Sequence, residues 1–561
     1  MKDVIVIGAG LAGLTCSTKL AQNSIKVKLF APAQSERSQS VMAMGGINAA
    51  LNTKGQDDSV DQHYNDTMKG GQYINNKKAV KRLTSDAPKI IQWLSEIGTS
   101  FNRDENGNVD VRYFGGQKKM RTAYAGARTG KQIVTALITQ TRKYESSGLI
   151  KRYTGYRFLS LILNEDNTKV IGVLLLNEVT DEILALQSDN IVIATGGMNK
   201  LFGKTSGSIL NDGCTTGLLL QQNVDLANLE MIQYHPTTVD TPVKRMLITE
   251  AARGEGGRLY TLVDNKKWYF MEEWYPELGA LMPRDVVSRS IYKVCHDKKL
   301  TKDDKDYVYL DLTHLPEKTV KNKLDEVYEV CTKYMDLDPT RQAIPVYPGV
   351  HYFMGGIRTD DTHKTNIKGL YAIGECSSQY HGANRLGGNS LLGAIHGGWI
   401  VSEQITQKQV DNNENYEEEV KNSLKKEKRA YEEWKKVQEK NSLTSSYEIE
   451  KEISAIMNST MGIYRNEKQL TEALNTLTKI EGKLQDTNSH GSYYEYIRLG
   501  AITILAKAMI KSALERKESR GAHQRIEYPE CNQQYDKTTT ISFTDNNLSV
   551  QFRDTDEEMG W

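Results

Sequence analysis

Five polar stretches, far apart in the chain, contain the side chains best suited to chemistry. They are residues 233–237, 249–257, 283–289, 351–357 and 381–392. Together they offer arginines, histidines, a threonine and a glutamate that could converge on one cleft. A guanidinium in such a cleft suits a carboxylate, because it can form two charge-assisted hydrogen bonds with one. Any one of these residues alone would more often be a structural hydrogen-bonding group, so the prediction depends on the whole set.

The last of these stretches also predicts the element that positions it. Apolar residues 369–375 before it predict a buried strand, and a helix is predicted from about Ser390. Arg385 and two adjacent glycines would then lie at the carboxyl end of a strand, where open α/β sheets bind ligands. Backbone N–H groups at the helix start suit pyrophosphate or another anion, and Arg385 suits a carboxylate.

Two further strand-then-glycine patterns point to a bound nucleotide. Residues 4–13 read as a buried strand followed by G-x-G-x-x-G and a helix, a turn that places pyrophosphate on a helix N-terminus. The second strand ends at Ala31, where a nicotinamide-binding fold usually has an acid, and this argues against NAD. Residues 190–197 repeat the pattern. One sheet assembled from such distant segments, with domains inserted between them, is typical of FAD-binding oxidoreductases.

The overall composition and charge of the chain argue against several classes of protein. The 561 residues include 72 Lys+Arg and 71 Asp+Glu, a net charge of +1 that gives no reason to expect nucleic acid as a partner. No apolar run approaches the ~18 residues of a membrane span. The first strand starts directly after Asp3, which leaves no room for a signal peptide and predicts a cytoplasmic location. The 6 cysteines contain no C-x-x-C pair, so another subunit or a diffusing acceptor must take up any electrons.

Taken in order, these motifs resemble the flavoprotein subunit of succinate dehydrogenase and fumarate reductase. The resemblance extends from Asp3 to about Pro529 and includes residues 45–51, 114–116, 128–130, 211–213 and 519–523. It implies an α/β fold, in which an FAD-binding Rossmann-like domain with an inserted α+β capping domain is followed by a helical domain and a C-terminal strand and loop region. The length alone predicts roughly three or four domains. The expected division is residues 1–228 (first part of the FAD-binding domain), 229–346 (capping domain), 347–405 (second part of the FAD-binding domain), 406–516 (helical domain, with the charged helix-forming residues 417–440) and 517–561 (C-terminal region).

The resemblance also implies which residues would interconvert succinate and fumarate. His235 and Thr249 would hold one carboxylate, and His351 and Arg385 the other. A hydride would pass between the flavin N5 and one carbon, while Arg284 exchanges a proton at the other carbon. A guanidinium is ordinarily never deprotonated. A relay through Glu250 and Arg253 would let a neutral Arg284 exist only fleetingly.

Contacts to FAD follow from the same resemblance, and no metal site is implied. Asp212 and Glu375 would meet polar groups of the cofactor, although Asp212 also fits a turn residue in Asn-Asp-Gly. Ser390 and Leu391 would lie at a helix start facing the flavin. The full set of expected cofactor-binding residues is Gly8, Ala9, Gly10, Leu11, Ala12, Gly13, Ser38, Gln39, Ser40, Gly45, Gly46, Asp212, Glu375, Ser390 and Leu391.

The chain departs from the family pattern beside the cofactor. Many members attach FAD covalently to a histidine before the Gly-Gly-Ile motif, but this chain has Gln39 there. Because an amide cannot form that bond, we predict non-covalent FAD, which leaves fumarate reduction at least as favoured as succinate oxidation. Lys131 stands where the family often has histidine, and the loop from Glu375 to Arg385 is one residue shorter than usual. Both changes concern the geometry around the flavin.

The resemblance implies partners, and two rival functions stay open. An iron–sulfur subunit would take the electrons to quinone or another carrier, and membrane anchor subunits would hold the complex at the cytoplasmic face of the membrane. L-aspartate oxidase has the same fold and non-covalent FAD, but residues 386–390 and 354–356 resemble the succinate and fumarate branch. A flavin-binding subunit without catalysis is the other alternative. The seven expected substrate-binding and catalytic residues, all present, weigh against it.

Overall fold

The fold is built on a parallel sheet whose strands come from distant parts of the chain. The computed structural model describes residues 2–126, 128–242, 244–300, 306–408, 415–439 and 444–561. In spatial order the strands of this sheet are Leu370–Ala372, Ile191–Ile193, Val4–Ile7, Val27–Ala31 and Ile150–Thr154. Each neighbouring pair is parallel. This confirms the sheet that the separated strand-then-glycine patterns predict.

The first strand divides the surrounding core in two because side chains alternate across a strand. Val4 and Val6 face a cluster with the helices Leu11–Gln22, Lys77–Glu96, Thr129–Ser146 and Asn389–Gln407. Ile5 and Ile7 face a cluster with the antiparallel strands Tyr156–Leu163 and Val170–Asn177, the helix Cys214–Gln221 and the helical region. Apolar residues cover both faces of the strand, as is usual in a parallel sheet.

A second sheet joins the C-terminal segment to the middle of the chain. Its strands, in spatial order, are Ser377–Ser378, Gly356–Arg358, Leu226–Ala227, Thr538–Thr544 and Asn547–Arg553. Leu226 pairs with both Ile357 and Ile541. The C-terminal strands therefore pack beside the points where the chain enters and leaves the capping region.

The capping region is a mixed layer of strands and short helices. Its sheet runs in the order Arg245–Leu247, Ile232–Asp240, Ile344–Phe353, Val308–Asp311, Arg258–Val263 and Lys266–Trp268. The strands Ile232–Asp240 and Ile344–Phe353 pair antiparallel, which places His235 opposite Gly349. The helices of this region are Ala251–Gly254, Phe270–Trp274, Arg284–His296, Glu317–Asn322 and Asp325–Tyr334.

Helices dominate the chain after the second half of the FAD-binding region. They are Glu417–Gln438, Ser446–Thr460, Glu467–Glu481 and Tyr493–Glu515. The last is buried over most of its surface, as expected of a helix that is apolar on all sides. In Glu417–Gln438, Trp434 is buried, and Val420, Leu424 and Tyr431 are partly buried against the same hydrophobic cluster. Lys440, the expected end of that charged stretch, lies outside the described residues. In the described part of the chain, no helix combines the length and apolar character of a membrane span.

Smaller elements complete the wall of the FAD-binding region. They are the helix Val60–Gly70 and the strands Ile47–Asn48, Val111–Arg112, Thr122–Ala123 and Ile183–Gln187. Two of the expected domain boundaries fall inside single elements. The boundary between residues 346 and 347 lies within the strand Ile344–Phe353, and the boundary between residues 405 and 406 lies within the helix Asn389–Gln407. The division into domains given above stays a proposal.

Candidate functional site

One cavity of about 510 Å³ lies between the carboxyl ends of the parallel strands and the capping sheet. The glycine turns of the FAD-binding region line one part, and the polar stretches of the capping region line the other. Every expected site residue contributes to its lining except Gly13 and Arg253. A nucleotide cofactor and a small substrate would therefore share a continuous space.

Arg284, Glu250 and Arg253 form a buried ion-pair triad. Arg284 donates to Glu250 Oε2 through Nη2 at 2.8 Å and through Nε at 3.1 Å. Arg253 donates to Glu250 Oε1 at 2.9 Å. The Arg253 side chain is fully buried, and it lies behind Glu250 as seen from the cavity. Glu250 thus lies between the two guanidiniums, where its carboxylate could pass a proton from one to the other.

Burial and the neighbouring charges shift the pKa of Glu250 in opposite directions. Burial alone would raise its pKa, but the guanidiniums of Arg284 and Arg253 hold the pKa of this carboxyl below its ordinary value. Burial lowers the pKa of Arg253, while Glu250 acts to raise it. The triad thus stabilises the carboxylate and makes its inner guanidinium easier to deprotonate than a solvated one.

Two glycines make room for Glu250. A Cβ atom added to Gly387 would lie 2.7 Å from Glu250 Oε2, and one added to Gly115 would lie 2.3 Å from Oε1. Both distances are far below van der Waals contact. The Gly-Gly pairs at 115–116 and 387–388 therefore belong to the site, because a side chain at Gly115 or Gly387 would displace the carboxylate.

Gln233 joins the two arginines that face the cavity. Its Oε1 accepts from Arg284 Nη1 at 3.1 Å and from Arg385 Nη2 at 2.9 Å. Its Nε2 donates to Asn384 Oδ1 and to the Arg385 carbonyl. No sequence pattern predicts this role for Gln233, although it lies two residues before His235 on the same strand. This residue sets the separation of two cationic groups that would otherwise repel each other.

His235 and His351 lie side by side in the same cavity. Their ring centroids are 5.1 Å apart. Burial, and then the charge of Arg284, hold the pKa of each well below the ordinary value of 6.5. Ser206 Oγ lies 2.8 Å from His351 Nδ1, whereas His235 Nε2 is buried without a partner. Two neutral imidazoles can thus present N–H donors to an anion.

Thr249 completes the polar wall. It is buried, lines the cavity and accepts a 3.4 Å hydrogen bond from the Ala251 N–H. Its hydroxyl also carries a proton that it could donate to a ligand in the cavity. With the two imidazoles and Arg385, the wall has donors at more than one end, which suits a molecule with two carboxylates.

The other part of the cavity fits FAD. Gly8 has φ +113°, and a Cβ atom there would lie 2.1 Å from the Ala194 carbonyl oxygen, so two strand ends approach at a distance that only glycine allows. Next to this turn, Ser38 Oγ and Gln39 Oε1 are buried without hydrogen-bond partners. Ser40 Oγ accepts from the Leu11 N–H at the helix start. Unpartnered polar atoms beside a glycine turn and a helix N-terminus are what a dinucleotide requires.

Gly13 and Asp212 have other contacts than sequence analysis expected. A Cβ atom on Gly13 would lie 1.8 Å from the Gly8 carbonyl oxygen, so this glycine permits close packing of helix and strand rather than lining the cavity. Asp212 lines the cavity, but its Oδ2 accepts from Tyr494 at 2.7 Å and from Arg157 at 3.3 Å. Its Oδ1 accepts from the Cys214 N–H, as in the turn reading of Asn-Asp-Gly.

Glu375, Ser390 and Leu391 line the cavity as expected. Glu375 Oε1 accepts from the Phe353 N–H at 3.2 Å, and burial raises the pKa of this carboxyl to about 7. The helix with Ser390 begins at Asn389, after Gly388 in the left-handed conformation (φ +87°). A Cβ atom on Gly388 would lie 2.1 Å from Asn48 Oδ1. The helix start is thus brought close to the loop that carries Gly45 and Gly46.

Comparison with known proteins shows the same fold and the same order of segments. Residues 3–391 match the FAD binding domain family, and residues 450–559 match the fumarate reductase flavoprotein C-terminal family. The succinate dehydrogenase flavoprotein subunit of Bacillus subtilis (strain 168) is 39% identical over 553 residues, which cover 96% of this chain and 93% of that protein. The fumarate reductase flavoprotein subunit of Haemophilus influenzae is 31% identical over 573 residues, or 97% of this chain and 92% of that protein.

A solved structure agrees with these sequences. A mutant of E. coli quinol fumarate reductase matches with a TM-score of 0.90 at 29% identity, covering 99% of this chain and 97% of that one. The FAD-binding fold is confirmed by this match and by the matched FAD binding domain. The chain belongs to the family of succinate dehydrogenase and fumarate reductase flavoprotein subunits.

Proposed function

We propose that this chain is the FAD-bearing catalytic subunit that interconverts succinate and fumarate. The observation that supports it best is the shared cavity in which the glycine turns of a dinucleotide site meet Arg284, Arg385, His235 and His351. Bound there, FAD would accept or supply a hydride at its N5. The named relatives and the E. coli structure are succinate dehydrogenases and fumarate reductases, which agrees with this chemistry.

The protein side chains would hold the dicarboxylate at both ends. His235 and Thr249 would donate to one carboxylate, and His351 and Arg385 to the other. Because both ends are held, the central carbons are fixed relative to the cofactor. Holding the reacting atoms in the correct geometry lowers the activation barrier of the reaction. In the dry cavity each charge-assisted hydrogen bond is stronger than it would be in water.

Arg284 would exchange the proton at the carbon that does not exchange the hydride. Glu250 contacts Arg284 through two hydrogen bonds and Arg253 through a third, so a proton leaving Arg284 could move inward through this carboxylate. In fumarate reduction the proton moves from Arg284 to the substrate carbon and is replaced through Glu250. In succinate oxidation it moves in the opposite direction. Arg253 stabilises the charge of the relay without touching the substrate.

Activity with both substrates tests the proposal. The FAD-loaded chain should catalyse dye-linked succinate oxidation and fumarate reduction by a reduced viologen. The ratio of the two rates then indicates the favoured direction. If aspartate reacts and neither dicarboxylate does, the chain is an L-aspartate oxidase. If FAD binds and none of the three reacts, it is a flavin-binding subunit without catalysis.

Gln233→Leu is expected to lower kcat/KM for succinate and fumarate by roughly 10 to 100-fold. The substitution keeps the side-chain volume but leaves Arg284 and Arg385 without their shared acceptor, at a cost of about 1–3 kcal/mol per unmade hydrogen bond to a charged group. Steady-state kinetics of both reactions measure the effect. Gln222→Leu, which removes an amide bonded to the Leu161 backbone away from the cavity, is the matched control. Equal losses in the two variants would contradict the assigned role.

We infer that FAD is bound without a covalent link, because Gln39 stands where many relatives use histidine. Ser38 and Gln39 would instead offer their unpartnered polar atoms to the cofactor. The chain denatured from the loaded protein should have the intact mass of the unmodified sequence, and the yellow cofactor should separate from it. The same measurement on Gln39→His serves as a comparison. A mass increased by one FAD in the unaltered chain would contradict the inference.

We further infer that the chain works within a complex. The relatives are named as subunits, which supports an iron–sulfur partner that accepts the electrons and membrane anchor subunits beyond it. The chain would then lie peripherally on the cytoplasmic face of the membrane. Copurification of an iron–sulfur protein with the tagged chain from its own cells tests this. Recovery of the active chain alone, with no bound partner, would contradict it.

A further inference from the structure

Arg385 is a buried guanidinium without an acid beside it in the described part of the chain. It is 3% exposed, and the described residues place no carboxylate within ion-pair distance of it. The other arginine that faces the substrate region, Arg284, is paired with Glu250. Buried arginines are ordinarily paired with acids, because an unpaired charge in a dry site is costly. Something other than an acid must therefore hold Arg385 in position.

An aromatic ring lies against this guanidinium. The Arg385 Cζ atom is 4.3 Å from the ring centroid of Tyr352, which is 9% exposed. A cation within about 6 Å of a ring face is attracted by the electron density of the ring, and the attraction is strongest in a desolvated site. Unlike a carboxylate, the ring does not neutralise the cation or occupy its N–H donors. The charge of Arg385 stays available for an incoming anion.

Tyr352 is itself positioned by a contact with His381. Tyr352 Oη lies 3.2 Å from His381 Nε2, and the two rings meet edge to face at 5.4 Å. His381 is 6% exposed, and burial lowers its pKa to about 3, so it is neutral. The phenol can donate its proton to a neutral imidazole, which increases the electron density of the ring facing Arg385. Both partners come from stretches with other expected roles, since Tyr352 follows His351 and His381 begins the loop that carries Arg385.

We propose that Tyr352, held by His381, is a positioning residue that keeps the unpaired charge of Arg385 directed at one carboxylate of the substrate. This inference rests on the proposed function. Gln233 fixes one edge of the guanidinium through its 2.9 Å hydrogen bond, and Tyr352 fixes its face. The substrate carboxylate would then be the counter-ion of Arg385, which has no acidic partner among the described residues. Dicarboxylates would therefore bind far more tightly than molecules in which that carboxylate is an amide or ester.

Binding of malonate to the FAD-loaded chain provides the test. Malonate has two carboxylates but lacks the CH–CH bond that the reaction needs, so calorimetric titration reports binding alone. Tyr352→Leu, which removes the ring, is expected to raise the malonate Kd roughly thirtyfold, about 2 kcal/mol at 1.4 kcal/mol per tenfold. Tyr352→Phe keeps the ring and should restore binding to within about threefold. The KM for succinate should follow the Kd, with a smaller change in kcat.

The hydrogen bond can be tested separately from the ring. Tyr352→Phe and His381→Leu each remove the same bond, so they should have similar effects, and the double variant should be no weaker than the worse of the two. Tyr260→Leu is the matched control. Tyr260 is a buried tyrosine of the capping sheet with Lys267 Nζ 4.7 Å from its ring centroid, and it is not among the cavity-lining residues. Its malonate Kd should equal that of the unaltered chain.

The possible failures are distinguishable. If the unaltered chain binds malonate and Tyr352→Leu, folded and loaded with FAD, binds it within twofold, the role of Tyr352 is overturned while the proposed function stands. Additive effects of Tyr352→Phe and His381→Leu would overturn the role of His381. If the unaltered chain neither binds malonate nor reacts with succinate or fumarate, the proposed function fails, and this inference fails with it.

Discussion

Arg284→Ala is expected to lower succinate oxidation and fumarate reduction by at least a thousandfold each, with FAD still bound. A positioned acid–base group contributes roughly 10² to 10⁴-fold to a rate, and Arg284 would also stabilise negative charge as it develops on the substrate. Both directions share one transition state, so both rates should fall by a similar factor. The dye-linked and viologen-linked assays measure the two rates, and the flavin absorbance measures the bound cofactor.

Arg289→Ala is the control for this substitution. Arg289 lies on the same helix, Arg284–His296, and bonds to Asp285 and to the Gly521 carbonyl rather than to the cavity. It should keep most of the activity. Arg284→Lys keeps a charge but loses the planar pair of donors that contacts Glu250, so it should stay at least a hundredfold impaired. Substantial activity in Arg284→Ala would contradict the assigned proton transfer, and water would then have to take that role.

The parts of the site that could be predicted are those in which the local sequence carries the signal. Val4 to Ile7, Ile191 to Ile193 and Leu370 to Ala372 are short apolar runs followed by glycine, and each forms a strand of one sheet. The turn at Gly8 needs a conformation that glycine alone adopts easily, so its spacing is visible in the sequence. The resemblance pointed to the other expected site residues, which line the same cavity apart from Gly13 and Arg253.

What could not be predicted depends on pairings between distant segments. Gln233 bridges Arg284 and Arg385, and no local pattern distinguishes it from an ordinary amide on a strand. The hydrogen bond from Tyr494 to Asp212 could not be predicted because the two residues are far apart in the chain. Gly13 belongs to the glycine motif but serves the packing of helix against strand. In each case the role is fixed by a contact that exists only after the chain has folded.

The buried histidines lead to a second prediction with a large effect, on stability rather than rate. Between pH 7.5 and pH 5.5 the FAD-loaded, substrate-free chain is expected to lose several kcal/mol of unfolding free energy. In six of its 10 histidines burial lowers the pKa strongly, to about 3 in three of them; the six are His63, His235, His351, His363, His381 and His523. The unfolded chain takes up protons at these positions below pH 6.5, and the folded chain does not. Stability therefore falls as the pH falls.

Among the described residues, five carboxyls act in the opposite direction because burial raises their pKa, and we expect the six histidines to outweigh them; they are Asp58, Asp225, Glu326, Asp361 and Glu375. Burial raises the pKa of Glu375 and of Glu326 to about 7, so the folded chain takes up protons there first and gains stability on acidification. At pH 5.5 each buried histidine costs about 1.4 kcal/mol, whereas each of these carboxyls returns about 2 kcal/mol. The six histidines and these two carboxyls together give a net loss of about 4 kcal/mol, which the three aspartates reduce further. Glu250, with a pKa below its ordinary value, loses its contribution only at lower pH.

Thermal unfolding at pH 7.5, 6.5 and 5.5 measures this balance directly. The midpoint should fall by about 3 °C over the range, given the unfolding entropy of a chain of this size. Calorimetry in two buffers of different ionisation enthalpy should show net proton uptake on unfolding at pH 6. Replacing the exposed His490 by Gln is the control and should leave the slope unchanged. Added malonate should reduce the slope, because an anion beside His235 and His351 favours their protonated forms in the folded state. A midpoint that rises towards pH 5.5 would mean that the carboxyls, not the histidines, dominate proton linkage in this fold.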